Sequence, residues 1–302
     1  MGVSPPIPPI FTQGEILMEE TLENRKRPGI ISRNLNIVTW PWWAILLVLC
    51  ALGFIYLLFS SQDYGDTFIF LTQGLYTTLR ITFFSYIFAT IIGLFTGLAR
   101  VSKNPILYNV STLYVELIRG IPLIVLFLYV AFALFPVFVQ MTQAIGVWGL
   151  SLSAESNFFA SMADYSIRAI PMEGRAIIAL AFGYGAYEAE VFRAGIQAIG
   201  KGQMEAARSL GMNYIQSMRF VILPQAVRHV LPPLGNDFIA CLKDSSLATV
   251  LAVSELTQLG RLRRASTFRV LETFNVVAFL YLSMTLLLSS GVRWLEHKMR
   301  IE

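Results

Sequence analysis

The chain contains 302 residues, of which 55% are hydrophobic and only 14% are charged, and its formal net charge is +4. Soluble domains carry roughly 25% charged residues, so this composition excludes an ordinary soluble protein and predicts one that lies in a lipid bilayer. The basic pI of about 9.1 is expected from positively charged inner loops and does not indicate nucleic-acid binding.

The chain opens with a polar, Pro-rich segment, residues 1–36, which we interpret as a cytoplasmic tail. Its first 15 residues place no basic residue before an apolar core, so a cleavable signal peptide is not expected. Residues 37–62 follow as an extra N-terminal transmembrane helix with an uncharged core from Pro41 to Ser60. A span needs ~20 apolar residues, and it forms a helix because lipid offers backbone groups no hydrogen-bond partners.

The second apolar region runs from Thr67 to Ala99 and is interrupted only by Arg80. It is longer than one span, so we predict that its N-terminal part lies along the membrane interface before the helix turns inward. Gly93 and Gly97 have the GxxxG spacing that permits close helix approach. Ordinary glycines of a membrane helix remain an equal interpretation.

Two further uncharged windows, 121–139 and 274–292, predict the third and the last span. An insert at 141–173 is interpreted as a small external cap. The fourth helix begins near Gly174, and a polar segment that reaches His229 precedes a shorter fifth helix with charges at its middle.

The distribution of Lys and Arg predicts the orientation, because these residues accumulate in cytoplasmic loops. They are more numerous in the tail, the second predicted inner loop, the 193–229 region and the C-terminus than in the predicted outer loops. This favours six spans with both termini cytoplasmic. The arginines between Arg261 and Arg269 break the rule locally and are candidates for a function.

The segment 200–224 carries the most specific local pattern. Met204 to Leu210 predicts a short helix in which Ala206 and Ala207 form a small face. Gly211 can adopt the left-handed conformation that ends a helix, and Asn213 can cap the next one. Met218, Val221 and Ile222 then give an apolar stripe, and Pro224 is expected to start a new direction.

This segment resembles the EAA loop of binding-protein-dependent ABC permeases. It contains Glu205-Ala206-Ala207, then Gly211, and then Leu223-Pro224, with Val221 where isoleucine is usual. Other stretches resemble the polar amino-acid uptake branch of that family (histidine, glutamine and arginine permeases), and the resemblance covers about residues 66–302. These stretches are YVELIRGIPL (114–123), AYEAEVFRAGI (186–196), LPPLGNDFI (231–239), LKDSSL (242–247) and TFR (267–269).

The resemblance implies an all-α membrane protein with a helical bundle like the transmembrane domain of type I ABC importers. The bundle would have about six spans, a five-helix core at 66–302 plus the extra N-terminal helix. It also implies a multi-pass permease in the cytoplasmic membrane of a prokaryote. The permease would work with two ABC ATPase subunits, a second permease subunit, identical or homologous, and a soluble external amino-acid-binding protein. The coupling loop 200–224 would dock on an ATPase through Glu205, Ala206, Ala207, Gly211, Leu223 and Pro224.

No nucleotide site is expected in the chain itself. A phosphate-binding loop needs the pattern GxxxxGK[ST], whereas the only Gly-Lys pair is Gly200-Lys201, followed by Gly202. ATP and Mg²⁺ would therefore be bound by the partner ATPase, and the chain is not expected to be an enzyme. His229 and His297 are isolated, so no metal site is predicted.

Ionisable residues within membrane helices are costly and are candidates for function. A pathway that carries both charge signs suits a zwitterionic amino acid, although internal pairing that locks the bundle is an alternative. Glu190 and Arg193 are three residues apart and can pair on one helix face, so Glu190 belongs either to the pathway or to a structural ion pair. The candidate pathway residues are Tyr187, Glu188, Glu190, Asn236, Asp237, Lys243, Asp244 and Ser245.

Two other classes of protein compete with the importer permease. An ion-coupled secondary transporter would have inverted repeats around broken helices and would need no cytoplasmic coupling loop. A membrane scaffold or receptor would have no use for the 200–224 segment. Stimulated, substrate-responsive ATP hydrolysis with an ATPase partner is expected only of the permease.

Overall fold

The computed structural model describes residues 42–153 and 156–299, so the tail at 1–36, Trp40, Pro41 and Glu155 lie outside the described residues. The chain divides into two units, Met1–Gly53 and Phe54–Glu302. The described residues are helical apart from short connections. In chain order the α-helices are α1 Trp42–Ser60, α2 Gln62–Arg100, α3 Pro105–Arg119, α4 Leu123–Tyr129, α5 Phe135–Leu152, α6 Asn157–Ala163, α7 Met172–Gln197, α8 Lys201–Ser209, α9 Tyr214–Ser217, α10 Leu223–Asp244, α11 Leu256–Thr267 and α12 Val270–Met299.

Four helical segments in the described ranges are long and apolar enough to cross a membrane. They are Trp42–Ser60, Gln62–Arg100, Leu123–Leu152 and Val270–Lys298. The helices α7 and α10 contain 26 and 22 residues. At a rise of 1.5 Å per residue each helix is at least about 30 Å long, which is the hydrophobic thickness of a membrane. They carry more charge than a typical span, and the count of six spans remains a prediction.

The helix α2 is one continuous helix of 39 residues. The prediction that its N-terminal part lies along the interface before the chain turns inward is therefore wrong. No proline interrupts it, and the backbone hydrogen bonds run on from Gln62 to Arg100. Arg80, in its middle, donates from Nε to the carboxylate of Glu173 over 2.6 Å and so joins α2 to the first turn of α7.

The third span extends beyond its predicted end at Val139. A π-helical turn, Val130–Leu134, connects α4 to α5, which ends at Leu152. Pro136 follows this turn and has no backbone N–H to donate, so a local change of helical pitch lets the helix continue through it. The insert predicted at 141–173 thus begins inside a helix.

The rest of the insert folds back on that helix. The short helix α6 packs on α5 where Gly146 and Gly149 leave room. A Cβ on Gly146 would lie 2.2 Å from the backbone nitrogen of Ala163, and one on Gly149 would lie 2.1 Å from the Phe159 ring. Whether the insert faces the outside remains a prediction.

A second π-helical turn, Met218–Ile222, joins α9 to α10. The chain is helical from Tyr214 to Asp244, so the prediction that Pro224 starts a new direction is wrong. Pro224 stands in the first turn of α10, and the wider π turn before it tolerates the missing N–H. The fifth helix accordingly begins well before His229, where the polar segment was expected to end.

The helices α2 and α7 form the most extensive contact of the bundle, and glycine makes their close approach possible. A Cβ on Gly93 would lie 2.7 Å from Cβ of Glu188, and one on Gly97 would lie 2.7 Å from Cβ of Phe192. Both glycines are buried. Of the two interpretations of the GxxxG spacing, close helix approach is therefore confirmed.

Replacing Gly97 with alanine should destabilise the bundle by about 1–3 kcal/mol, because the new methyl group would lie 2.8 Å from the backbone oxygen of Ala189. Gly291→Ala is the matched control, since Gly291 lies in α12 with open space around it. There alanine should be neutral or stabilising by up to ~1 kcal/mol. Thermal unfolding of the two purified variants measures the difference. Equal melting temperatures would show that the α2–α7 contact accommodates the added methyl group without loss of stability.

Two arginines of the 261–269 cluster join α11 and the residues just after it to the start of α2. Arg269 forms an ion pair with Asp63, and Arg263 lies 3.5 Å from the hydroxyl of Thr67. At the other end of α11 the carboxylate of Glu255, which is fully buried, accepts from the backbone N–H groups of Thr257 and Gln258. Tyr281 of α12 donates to the same carboxylate over 3.0 Å. At least part of the cluster thus serves helix packing.

Candidate functional site

The helix α8 presents the Glu-Ala-Ala sequence on a short amphipathic helix three residues beyond the end of α7. Glu205 and Ala206 are exposed, whereas Ala207 is 3% exposed. The small face predicted from the two alanines is thus divided, with Ala207 packed inward and Ala206 open to a partner. Leu223 and Pro224, at the start of α10, are exposed as well.

The turn after α8 has the predicted backbone. Gly211 adopts φ +82°, so its left-handed conformation is confirmed. Its N–H bonds to the Arg208 carbonyl, and the N–H of Met212 bonds to the Ala207 carbonyl, which together form a Schellman motif. Asn213 caps α9 in a capping box with Gln216, so the predicted cap is confirmed too. The two short helices are therefore held at a fixed angle by local hydrogen bonds.

Large apolar side chains project from this otherwise polar segment. Leu210 is 81% exposed, Ile215 74% and Phe220 64%. Leu210 and Phe220 border an open cavity of about 320 Å³ whose other walls are Gly211, Met212 and Gln216. Exposed apolar groups that cluster next to charged ones indicate a surface that contacts another protein. We refer to residues 200–224, the predicted coupling loop, as the coupling segment from here on.

A second polar group lies between α7 and α10, within the bundle. The hydroxyl of Tyr184 donates to the carboxylate of Asp244 over 2.7 Å. Glu188, one turn further along α7, is fully buried, and neither of its carboxylate oxygens has a hydrogen-bond partner among the described residues. A buried carboxylate without partners is costly and is a candidate for contact with a positively charged group.

The other candidate pathway residues of α10, and Ser245 directly after it, differ in their surroundings. Asn236 and Lys243 are exposed and Asp237 is half-buried, so all three can meet a solute. Ser245 is buried, and its hydroxyl donates to the Leu242 carbonyl over 2.7 Å. In this conformation the hydroxyl of Ser245 is therefore already hydrogen-bonded to a neighbouring carbonyl. In the described ranges no group of His, Cys, Asp and Glu is arranged to hold a metal ion.

The last two candidates, Tyr187 and Glu190, flank Glu188 on α7, and their side chains lie among arginines. Glu190 pairs with Arg193, as the spacing predicted, and also with Arg100 at 2.6 Å. The guanidinium of Arg119 lies 5.4 Å from the centre of the Tyr187 ring. The structure thus brings Tyr187 and Glu190 together with cations, whereas Glu188, between them in the sequence, contacts none of these arginines, and Asp244 lies at the end of α10.

Sequence reasoning missed several residues that these contacts single out. Tyr184 and Arg100 pair with residues that are 60 and 90 positions away. Arg175 is buried and donates to the carbonyls of Ala131, Ile167 and Ile170, so it fastens the π turn to the insert. The signal available in the sequence was a charged residue in or beside an apolar stretch, and it does not identify the partner.

Comparison with known proteins decides the family. The family of binding-protein-dependent transport system inner membrane components matches residues 89–301. The chain belongs to this family. The glutamine transport system permease protein GlnP of Escherichia coli (strain K12) is 36% identical over 231 residues, 76% of this chain and 93% of GlnP. The arginine transport system permease protein ArgU of Corynebacterium glutamicum is 33% identical over 268 residues, 85% of this chain and 78% of ArgU.

Solved structures agree with this assignment. A chain from the crystal structure of an amino acid ABC transporter with histidines has a TM-score of 0.62 and 34% identity, and the match covers 80% of this chain and 97% of that one. A chain of the inward-facing MetNI methionine ABC transporter has a TM-score of 0.56 at 22% identity, covering 77% of this chain and 97% of that one, which shows the shared fold.

Four of the expectations are thereby settled. The resemblance to permeases of the polar amino-acid branch is confirmed, as is the all-α fold of an ABC importer transmembrane domain. The chain is a multi-pass inner membrane protein. As a permease subunit it is not itself an enzyme, because the ATPase of such importers is a separate subunit.

Proposed function

We propose that this permease moves amino acids from an external binding protein across the cytoplasmic membrane by alternating access, powered by separate ATPase subunits. The observation that carries the proposal is the exposed coupling segment, whose two capped helices present charged and apolar side chains with no partner from the rest of the described bundle. The names of the relatives, which include glutamine and arginine permeases, support amino acids as the substrate class.

The coupling segment would dock on an ATPase through Glu205, Ala206 and the exposed apolar side chains around Gly211. Glu205 supplies charge for partner choice, and Leu210 and Phe220 supply apolar area. Ala207 supports α8 from inside, and Leu223-Pro224 begins the helix that receives the movement. ATP and Mg²⁺ are bound by the partner.

The substrate would pass between α7 and α10. Glu188 and Asp237 offer negative charge and Lys243 positive charge, which matches the ammonium and carboxylate of an amino acid. Asn236 and Asp244 supply polar contacts. Tyr187, Glu190 and Ser245 were candidates on sequence grounds, and their surroundings favour supporting roles.

The assembly would contain two ATPase subunits on the cytoplasmic side, a second permease, identical or homologous, and a soluble binding protein outside. Both termini of the chain would be cytoplasmic, which places the coupling segment on the same side as the ATPases. The competing ion-coupled transporter needs neither an ATPase nor such a segment.

ATP hydrolysis by the reconstituted complex tests the proposal. The permease is purified in lipid with its ATPase and binding protein, and hydrolysis is measured with and without each of the common amino acids. We expect hydrolysis to rise severalfold with one substrate class and uptake to stop without ATP. Uptake that follows an ion gradient and ignores ATP would overturn the proposal in favour of a secondary transporter.

A further inference from the structure

A cluster of charged side chains lies where the C-terminal ends of α2, α3 and α7 meet. Arg100 is the last residue of α2 and Arg119 is the last residue of α3. Glu190 and Arg193 stand in the last two turns of α7. Cations at helix C-termini are favoured by the helix dipole, and here the cations of two helices converge on the third.

Glu190 is shared between two arginines. Arg100 donates from Nη1 to its carboxylate over 2.6 Å, and Arg193 donates from Nε over 3.1 Å. Glu116 of α3 lies 3.7 Å from Arg100, but its side chain is 70% exposed. The side chain of Arg100 is only 10% exposed, so its charge depends mainly on Glu190.

Close packing continues this connection along α2 and α7. Gly97, one turn before Arg100, faces Phe192 and Ala189 of α7. Tyr114 of α3 donates to the Phe182 carbonyl of α7 over 2.7 Å. Glycine packing and an ionic contact thus fasten α2 to α7 at this end, and the hydrogen bond of Tyr114 joins α3 to α7 about two turns away.

The other side of the coupling segment is held differently. The end of α7 meets α10 through Gly195 and Val230, an apolar contact, and the hydrogen bond from Tyr184 to Asp244 joins the two helices farther from the coupling segment. Among the described residues no ion pair joins α7 to α10. Arg193 also donates to Gln197, the last residue of α7, only four residues before α8 begins.

We infer that Arg100 and Glu190 are positioning residues that clamp the ends of α2 and α7 together, so that a displacement of the coupling segment moves α2, α3 and α7 as one body against α10. The inference rests on the proposed function for its consequence in transport, while the clamp itself is a property of the permease alone. It assigns Glu190 to force transmission and not to the substrate pathway.

The clamp is tested first in the isolated permease by a distance between spin labels at K103C and A198C, with C50S removing the exposed native cysteine. Both labelled positions are exposed; Ala198 directly follows α7, and Lys103 lies in the short connection after α2. Arg100→Met should broaden and lengthen the distance distribution, and Arg100→Lys should restore most of it. Glu116→Gln, which changes the exposed partner, should leave it narrow. Distributions as narrow in Arg100→Met as in the parent overturn the clamp.

The effect of the clamp on transport is tested in the reconstituted complex. The quantity measured is the number of amino acids transported per ATP hydrolysed. Arg100→Met, and the isosteric Glu190→Gln in case Arg100→Met is poorly produced, should lower this ratio about tenfold, while the ATPase still copurifies with the permease. A loss of transport and hydrolysis in equal proportion to the yield of complex would show a merely structural role and overturn the inference. A parent complex without stimulated hydrolysis contradicts the proposed function, and the spin-label distances still decide the clamp.

Discussion

The double substitution Glu205→Lys with Ala206→Trp should abolish both transport and association with the ATPase. Each residue is exposed on α8, so neither change disturbs the packing of the permease. The charge reversal would oppose the proposed contact of Glu205 with the ATPase, and the indole would block the approach of that partner. Together they are expected to cost about 3 kcal/mol of binding free energy, which is on the order of a hundredfold in affinity.

The position of the bulky residue matters for this experiment. Ala207 is buried, and a large side chain there would disturb α8 itself, whereas Ala206 is open. Copurification of the ATPase and ATP-driven uptake are measured beside the melting temperature of the permease. Asp66→Lys is the control, since it reverses another exposed acid outside the coupling segment. Normal uptake by the double variant would rule out docking through this face.

Asp244→Asn should lower uptake by roughly 10- to 100-fold while the folded yield stays close to normal. The asparagine oxygen can still accept from Tyr184, so the link between α7 and α10 survives without its charge. If the charge contacts the substrate, its loss removes a charge-assisted hydrogen bond, which is worth about 1.5–3 kcal/mol.

Tyr184→Phe is the matched variant for this prediction. It removes the hydrogen bond between Tyr184 and Asp244 and keeps the charge of Asp244, whereas Asp244→Asn does the reverse. Uptake at saturating and limiting substrate is compared with the yield of monodisperse protein for both variants. A pathway role requires that Asp244→Asn impairs uptake more than Tyr184→Phe does. If both variants lose uptake only as far as they lose folded protein, the pair locks the bundle and does not contact substrate.

The local structure of the coupling segment was predictable from the sequence. Gly211 and Asn213 act on the backbone within a few residues of themselves, through a left-handed turn and a cap, and the structure contains both. The apolar runs likewise predicted membrane helices, because the free energy of transfer into lipid is a sum over neighbouring residues. Helix breaks were predicted less well. Pro224 was expected to redirect the chain, but a π turn absorbs it.

The partners of the buried charges were not predictable in the same way. Arg100, Arg80 and Tyr184 bind residues 90, 93 and 60 positions away. Small residues decide which faces of α2, α7 and α10 meet, because they let the helices approach closely. The sequence alone left the role of Gly93 and Gly97 open between two interpretations.

The sequence by itself determined that this protein lies in the membrane and to which family it belongs, and it located the helix–turn–helix pattern at 200–224, since hydropathy and turn chemistry are local. Only the tertiary structure decided that Glu190 is shared by Arg100 and Arg193, that Glu188 is buried with no hydrogen-bond partner among the described residues, and that α2 is a single long helix. Those facts follow from helix contacts between distant parts of the chain, where packing and electrostatics select one arrangement among many that the local pattern allows.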